Sequence, residues 1–105
     1  MSDVLLCFCA CPTEDVAHRL AELVVNERLA ACVNILPGLT SVYRWQGAVE
    51  TATEVMLWIK TNRHQYPQLE ATLRAAHPYE LPEIVAVSLN TGSHAYLQWI
   101  NDSLA

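Results

Sequence analysis

The order of apolar patterns along the chain predicts an α+β fold of the ferredoxin-like type, β-α-β-β-α-β, with a long β-hairpin, an antiparallel sheet and an added C-terminal helix. Apolar stretches with strand character alternate with segments of helical periodicity in that order. The two central strands meet at Gln46-Gly47, a dipeptide typical of a hairpin turn. No linker or internal repeat interrupts the 105 residues, so we assign residues 1–105 to one domain.

The first strand and the first helix are predicted from residues 3–28. Residues 3–11 are apolar on both faces, which is typical of a strand covered on both sides. Thr13 is a candidate N-cap, and the acidic pair Glu14 and Asp15 fits the positive end of a helix dipole. Apolar residues at helical spacing then predict a helix over residues 14–28.

Residues 30–61 predict a β-hairpin that is long for a domain of this size, since most strands have about 5–6 residues. Its first strand is interrupted at Pro37-Gly38, because proline cannot donate to a ladder and glycine tolerates a bulge. Tyr43, Trp45 and Trp58 lie on this arm. Paired aromatic side chains on a projecting arm favour aggregation in water, so we expect a partner chain to cover them.

The C-terminal half predicts a second helix, a stiff loop, a strand and a short last helix. The second helix is predicted to start at Asn62 or Arg63, with a proline in its first turn. In residues 77–83, two prolines bias the residues before them away from helical geometry. The last strand is predicted over residues 84–89, and Ser93 is a candidate N-cap for the last helix.

The composition indicates burial between subunits. The chain is 52% hydrophobic and 16% charged, whereas soluble proteins average roughly 25% charged residues. In a ferredoxin-like fold both helices cover one face of the sheet, yet the first, third and last strands are apolar on both faces. We therefore expect another copy of the chain to cover the second face.

Charge and hydropathy exclude two classes of partner. The formal net charge is −5 and the six basic residues are scattered, which argues against nucleic acid. No uncharged apolar run approaches the ~20 residues needed to span a bilayer. Asp3 stands where a secretory signal would carry basic residues. We therefore expect a cytoplasmic protein without membrane or nucleic-acid partners, whose four cysteines are reduced.

The cysteines divide into two groups. Cys7, Cys9 and Cys11 share one face of the first strand, where successive side chains are roughly 6.5–7 Å apart. That spacing exceeds the usual Cα separation of a disulfide, so neighbouring pairs should not bridge. Cys7 and Cys32 are interpreted as small buried hydrophobes. Cys9 and Cys11 lie near the end of the strand, where they are either small buried hydrophobes or metal ligands. A metal site would also need a ligand from another part of the chain.

His77 is the preferred histidine ligand, because its loop also supplies a phenol and two carboxylates. Rigid loops on a packed scaffold are common positions for binding groups. The alternative is that the loop is a connector whose polar side chains face water. His18, His64 and His94 lie on predicted helices or helix starts, where we expect them on the surface.

A longer string of residues resembles a known family. It consists of Leu29-Ala30-Ala31-Cys32-Val33-Asn34, Pro37-Gly38, Ser41-x-Tyr43-x-Trp45-x-Gly47-x-x-Glu50, Glu54, Lys60-Thr61 and His77-Pro78-Tyr79-Glu80-x-Pro82-Glu83-Ile84. This string closely resembles the CutA family, the divalent-cation tolerance proteins, and the match continues to Tyr96-Leu97-x-Trp99. The resemblance implies a ferredoxin-like subunit in a tight trimer, tolerance of copper and other divalent cations, and an architecture similar to the PII signalling proteins.

The same resemblance implies Cys9, His77 and Glu83 as metal ligands. Thiolate and imidazole suit copper, while a carboxylate is a harder donor that accepts several divalent ions. The first strand departs from the family pattern, because Ala10 stands where threonine is common and the extra thiols of Cys7 and Cys11 are not expected.

The sequence therefore predicts a cytoplasmic homotrimer that binds copper or another divalent cation without catalysis. One alternative is a PII-like sensor that binds a small anionic ligand in an inter-subunit cleft, where Arg44 would join Lys60 as a basic group. The cleft candidates are Tyr43, Trp45, Glu50, Lys60 and Tyr79. Another alternative is a pure assembly scaffold. An enzyme is disfavoured, since the sequence has three glycines and no phosphate-binding or Ser/Cys–His–Asp motif.

Overall fold

The computed structural model describes residues 3–105, and its helices and strands follow the predicted order. They are β1 (Val4–Cys11), α1 (Glu14–Asn26), β2 (Cys32–Trp45), β3 (Ala48–Asn62), α2 (Tyr66–Ala76), β4 (Ile84–Ser88) and α3 (His94–Ser103). The strands form one antiparallel sheet in the order β2-β3-β1-β4. The predicted fold class is therefore confirmed, with β1 at the centre of the sheet beside β3.

The main core lies between the sheet and the two helices α1 and α2. Alternation along β1 and β3 directs one set of side chains to these helices. The buried residues of this core include Cys7, Cys9, Cys11, Leu20, Val24, Leu57, Ile59, Leu69 and Leu73. Three thiols of β1 are thus core residues on the helix-facing side of the sheet.

The start of α1 is confirmed, and its end lies two residues before the prediction. The Thr13 hydroxyl oxygen accepts from the Val16 N–H at 3.2 Å, which makes Thr13 the N-cap. Arg28 has φ 58° and leaves the helical path. Its guanidinium donates to the carbonyls of Ser103 and Leu104, so the turn after α1 also holds the end of α3.

We expect Thr13→Ala to lower the free energy of unfolding by about 1 kcal/mol, because it leaves an N–H of the first turn without its side-chain acceptor. Urea denaturation at one protein concentration measures the change. Thr13→Ser keeps a hydroxyl at the cap and serves as the matched control. Equal stability of the alanine and serine variants would contradict a capping role.

The predicted start of α2 at Asn62 or Arg63 is wrong, since the helix starts at Tyr66. Asn62 is still paired with Val4 in the sheet, and its side-chain oxygen accepts from the Gln65 N–H at 2.9 Å. The chain therefore makes a turn before the helix. The predicted proline in the first turn of α2 is confirmed.

The long hairpin has the two irregularities that the sequence predicts. Pairing of β2 with β3 shifts between Leu36 and Leu39, around Gly38 with φ 78°. At the tip, Gln46 and Gly47 have φ values of 49° and 82°, as a tight hairpin turn of the primed type requires. The arm contributes to the elongated shape of the chain, which measures 44 × 25 × 23 Å.

The second face of the sheet is only partly covered by the chain itself. At one end, α3 packs on it through a small core of Val4, Ile100 and Leu104. We call the remainder the open-face patch; it consists of Leu6, Phe8, Met56, Trp58, Val85 and Val87. Trp58, Val85 and Val87 are 39%, 54% and 50% exposed. Among residues 3–105, no helix is long and apolar enough to span a bilayer.

Candidate metal centre

Beyond Cys9, β1 is no longer paired with β4, and the loop of residues 77–83 lies beside it instead. Pairing of β1 with β4 ends at Cys9 opposite Ile84, while pairing with β3 continues to Cys11. Pro82 precedes this ladder by two residues and has no N–H to extend it. Ala10 and Cys11 therefore lie at a sheet edge, next to the loop that carries His77.

The imidazole of buried His77 bonds to this edge through both ring nitrogens. Nε2 lies 2.8 Å from the Ala10 carbonyl oxygen, and Nδ1 lies 3.0 Å from the Tyr79 backbone nitrogen. A carbonyl only accepts and a backbone N–H only donates, so the ring is neutral with its proton on Nε2. His77 thus replaces the missing strand as the donor to Ala10. To bind a metal through Nδ1, it must release the Tyr79 N–H.

Cys9, Cys11 and His77 form one buried group of possible metal ligands. The two sulfur atoms and one ring nitrogen all lie within 4.8 Å of one another. The neighbouring Cys11 thiol and burial both raise the pKa of Cys9, whereas the neighbouring Cys9 thiol lowers the pKa of Cys11 against the effect of burial.

Two charged side chains lie near Cys11 and act in opposite directions. The carboxylate of buried Glu54 raises the pKa of the Cys11 thiol, and the Arg19 guanidinium lowers it. Arg19 donates to the Ala76 carbonyl at 3.4 Å, next to the loop. Glu54 accepts a hydrogen bond from the Tyr79 hydroxyl at 2.7 Å. Burial and this bond raise the pKa of Tyr79, which therefore stays a neutral donor.

The structure brings together two of the three predicted ligands, Cys9 and His77, and adds Cys11. Glu83 is exposed and stands outside the group whose ligand atoms lie within 4.8 Å. Its carboxylate is still near enough to contribute to the raised pKa of Cys9. The signal for Cys11 in the sequence was its position two residues after Cys9, on the same strand face.

Cys7 and the other histidines occupy the predicted core and surface positions, but Cys32 does not. Burial, followed by the Glu70 carboxylate, raises the pKa of Cys7 to about 12, so Cys7 is an inert core thiol. The prediction that Cys32 is a buried hydrophobe is wrong, because the residue is only half-buried and its sulfur lies 3.3 Å from the Tyr96 hydroxyl oxygen. The remaining histidines, His18, His64 and His94, are exposed as predicted.

A cavity of about 830 Å³ lies between the hairpin and the loop. Of the predicted cleft residues, Tyr43, Trp45 and Tyr79 line it, while Glu50 and Lys60 are not among its lining residues. Lys60 instead donates to the side-chain oxygen of Asn34. The structure therefore brings together the aromatic part of the predicted cleft and leaves its charged part elsewhere.

The charges in this cavity do not favour an anionic ligand. Its ionisable lining residues, apart from the tyrosines, are Arg44, Glu54, Glu80 and Glu83. One guanidinium against three carboxylates gives an acidic excess, whereas an anion requires converging positive charge or N–H groups. The cavity thus supplies no observation for the anion-sensing alternative.

Comparisons with known proteins agree on one family. The family described as CutA1 divalent ion tolerance protein matches residues 5–103. The divalent-cation tolerance protein CutA of Thermus thermophilus is 50% identical over 92 residues, which cover 88% of this chain and 89% of that protein. The human protein CutA is 45% identical over 93 residues, but the chain spans only 52% of its length.

Solved structures give the same result. The crystal structure of CutA from Xylella fastidiosa superimposes with a TM-score of 0.96 at 47% identity, covering 99% of this chain and 100% of that one.

The names of related proteins point to different compartments, since one from Arabidopsis thaliana is called chloroplastic and one from Archaeoglobus fulgidus periplasmic. The family therefore does not determine a compartment for this chain.

Proposed function

The chain belongs to the CutA1 divalent ion tolerance protein family, and we propose that it binds copper or another divalent cation, without catalysis, as a cytoplasmic homotrimer. The observation that carries the metal-binding proposal is the grouping of Cys9, Cys11 and His77 within 4.8 Å. Sulfur and imidazole nitrogen are the donors that copper prefers. The names of the relatives from other organisms refer to the same class of ion.

Cys9 and His77 are the proposed primary ligands, and Glu83 is a proposed third ligand. The loop of residues 77–83 carries both His77 and Glu83, so a shift of this loop changes both donors together. Such a shift is required for His77, whose Nδ1 accepts from the Tyr79 N–H at 3.0 Å. Binding also displaces the thiol proton and requires a neutral imidazole, so affinity should fall as the pH drops through the histidine range.

We expect Cys9→Ser and His77→Ala each to weaken copper binding by at least the ~10–100-fold that loss of an outer-shell partner costs a metal site. Each variant removes a donor atom outright. Anaerobic competition titration against a chromophoric chelator measures the affinity. Glu83→Gln should have a smaller effect, because a carboxylate is the harder and less selective ligand.

His18→Ala and His94→Ala are matched controls, since both histidines are exposed. They should leave copper affinity unchanged. Unchanged affinity in a double variant with Cys9→Ser and His77→Ala would place the site elsewhere. A chain that assembles normally but binds no metal would support the scaffold alternative instead.

Three further observations support the cellular and oligomeric parts of the proposal. The open-face patch and the exposed Tyr43 and Trp45 give a homotrimer apolar surface to bury. All four cysteines are free, which suits a reducing compartment. The net charge of −5 does not favour a nucleic-acid partner.

A further inference from the structure

We propose that Cys11 makes this site a two-sulfur centre, in which the paired thiolates of Cys9 and Cys11 bind Cu(I) in preference to harder divalent ions. This inference rests on the proposed function, because it names the class of ion that the same site takes. A site built from Cys9, His77 and Glu83 contains one sulfur, one nitrogen and one oxygen donor. A second sulfur moves the preference of the site towards soft ions.

The spacing of the two sulfurs fits one shared ion. Two sulfurs that each lie ~2.3 Å from a metal are ~3.8 Å apart in a tetrahedral arrangement and ~4.6 Å apart in a linear one. In the structure the sulfurs of Cys9 and Cys11 lie within 4.8 Å of each other. Both residues are held by β3 through pairing with Leu57 and Val55. Small side-chain rotations therefore suffice, and the strand need not move.

The thiols are also more readily available as donors than the other candidates. Both nitrogens of His77 already bond to backbone groups, and Glu83 is outside the group. The Cys9 and Cys11 sulfurs lie within 4.8 Å of each other, so one ion can contact both. Two thiolates are consequently the donors that an ion meets without displacing the loop from the end of β1.

Binding of Cu(I) releases the protons of both thiols. Binding follows Cu⁺ + 2 RSH → [Cu(SR)₂]⁻ + 2 H⁺, in which no electron is transferred and the two thiol protons leave to solvent. The complex carries one negative charge; near Cys11, the Arg19 guanidinium offsets this charge and the Glu54 carboxylate opposes it. Cys9 and Cys11 are both fully buried, which keeps water away from the ion. Soft thiolates in such a site select Cu(I) over ions that prefer carboxylate and water.

Cys11→Ala tests the proposal, and Cys7→Ala is its matched control. Cys7 is a fully buried thiol on the same face of β1, but it is not part of the group with His77. The two variants lose the same atom from the same strand. If the lost sulfur matters only for packing, both variants should lose metal affinity. If it is a metal ligand, only Cys11→Ala should lose affinity.

The probes are Cu(I), titrated anaerobically in competition with bathocuproine disulfonate, and Co(II) as the harder ion. Cys11→Ala should lower Cu(I) affinity by about 100-fold and Co(II) affinity by less than about 3-fold, since an ion held by one sulfur with nitrogen or oxygen keeps its ligands. Cys7→Ala should change neither affinity. X-ray absorption of the Cu(I) protein should show two sulfur neighbours in the wild type and one in Cys11→Ala.

Other results separate this inference from the proposed function. Wild-type Cu(I) affinity in Cys11→Ala, together with a loss in Cys9→Ser, would overturn the two-sulfur centre and leave the one-sulfur metal site standing. Equal losses in Cys7→Ala and Cys11→Ala would also overturn it, since the cause would be packing. A wild-type protein that binds neither ion would overturn both proposals.

Discussion

Leu57→Ala is expected to lower the free energy of unfolding by about 2–5 kcal/mol. Leu57 is fully buried in the middle of β3, opposite Cys9 on one side and Ile35 on the other. It belongs to the core under α1 and α2. The paired strands cannot close around the lost atoms, so the variant loses both burial and contacts. Urea denaturation at a fixed protein concentration measures the change, because the stability of an assembled chain depends on concentration.

Leu81→Ala is the matched control, since it makes the same chemical change at a side chain that is 74% exposed. Its effect should stay within about 0.5 kcal/mol. A cost at Leu57 no greater than that at Leu81 would mean that the centre of β3 is not the core of the folded protein.

The core of the fold was predictable because alternation is a local property of a strand. Leu57 and Ile59 share a face in the sequence, as do the thiols of β1, and the structure buries these sets against the helices. The start of α2 was not predictable in the same way. Asn62 suits a helix start as well as a strand end, and only its pairing with Val4 on a distant strand decides between them.

The candidate site was predictable only in part, for a similar reason. The spacing of Cys9 and Cys11 places both on one strand face, but it does not say which element covers that end. His77 is 67 residues away from Ala10, and their contact depends on β4 starting only at Ile84, opposite Cys9. Both ring nitrogens of His77 are engaged with backbone groups, which no sequence pattern indicated.

For the second face of the sheet, the need for cover was predictable from the sequence, but the position of the covering helix was not. Apolar residues on both faces of β1 predicted that this face needs cover. The position of α3 over Val4 depends on Ile100 and on the anchoring of Ser103 by Arg28, which are long-range contacts. The cover supplied by α3 is partial, and Val85 and its neighbours remain exposed.

Val85→Asp is therefore expected to convert the proposed trimer into monomers at micromolar concentration. Val85 lies on β4 opposite Phe8, inside the open-face patch, and is 54% exposed in the single chain. An obligate interface of this kind buries about 2,000 Å² or more. An unpaired carboxylate in such an interface costs several kcal/mol, which is enough to reverse assembly. Sedimentation velocity measures the oligomeric state, and circular dichroism should show a folded chain.

Val25→Asp makes the same substitution at an exposed position of α1, away from the second face, and should leave the trimer intact. Val85→Ala keeps an apolar side chain and should weaken assembly less than the aspartate does. In the wild type, the midpoint of thermal unfolding should rise with protein concentration, because dissociation accompanies unfolding. A wild-type protein that sediments as a folded monomer, or a trimer that tolerates Val85→Asp, would show that β4 and its neighbours on the open-face patch do not form the subunit interface.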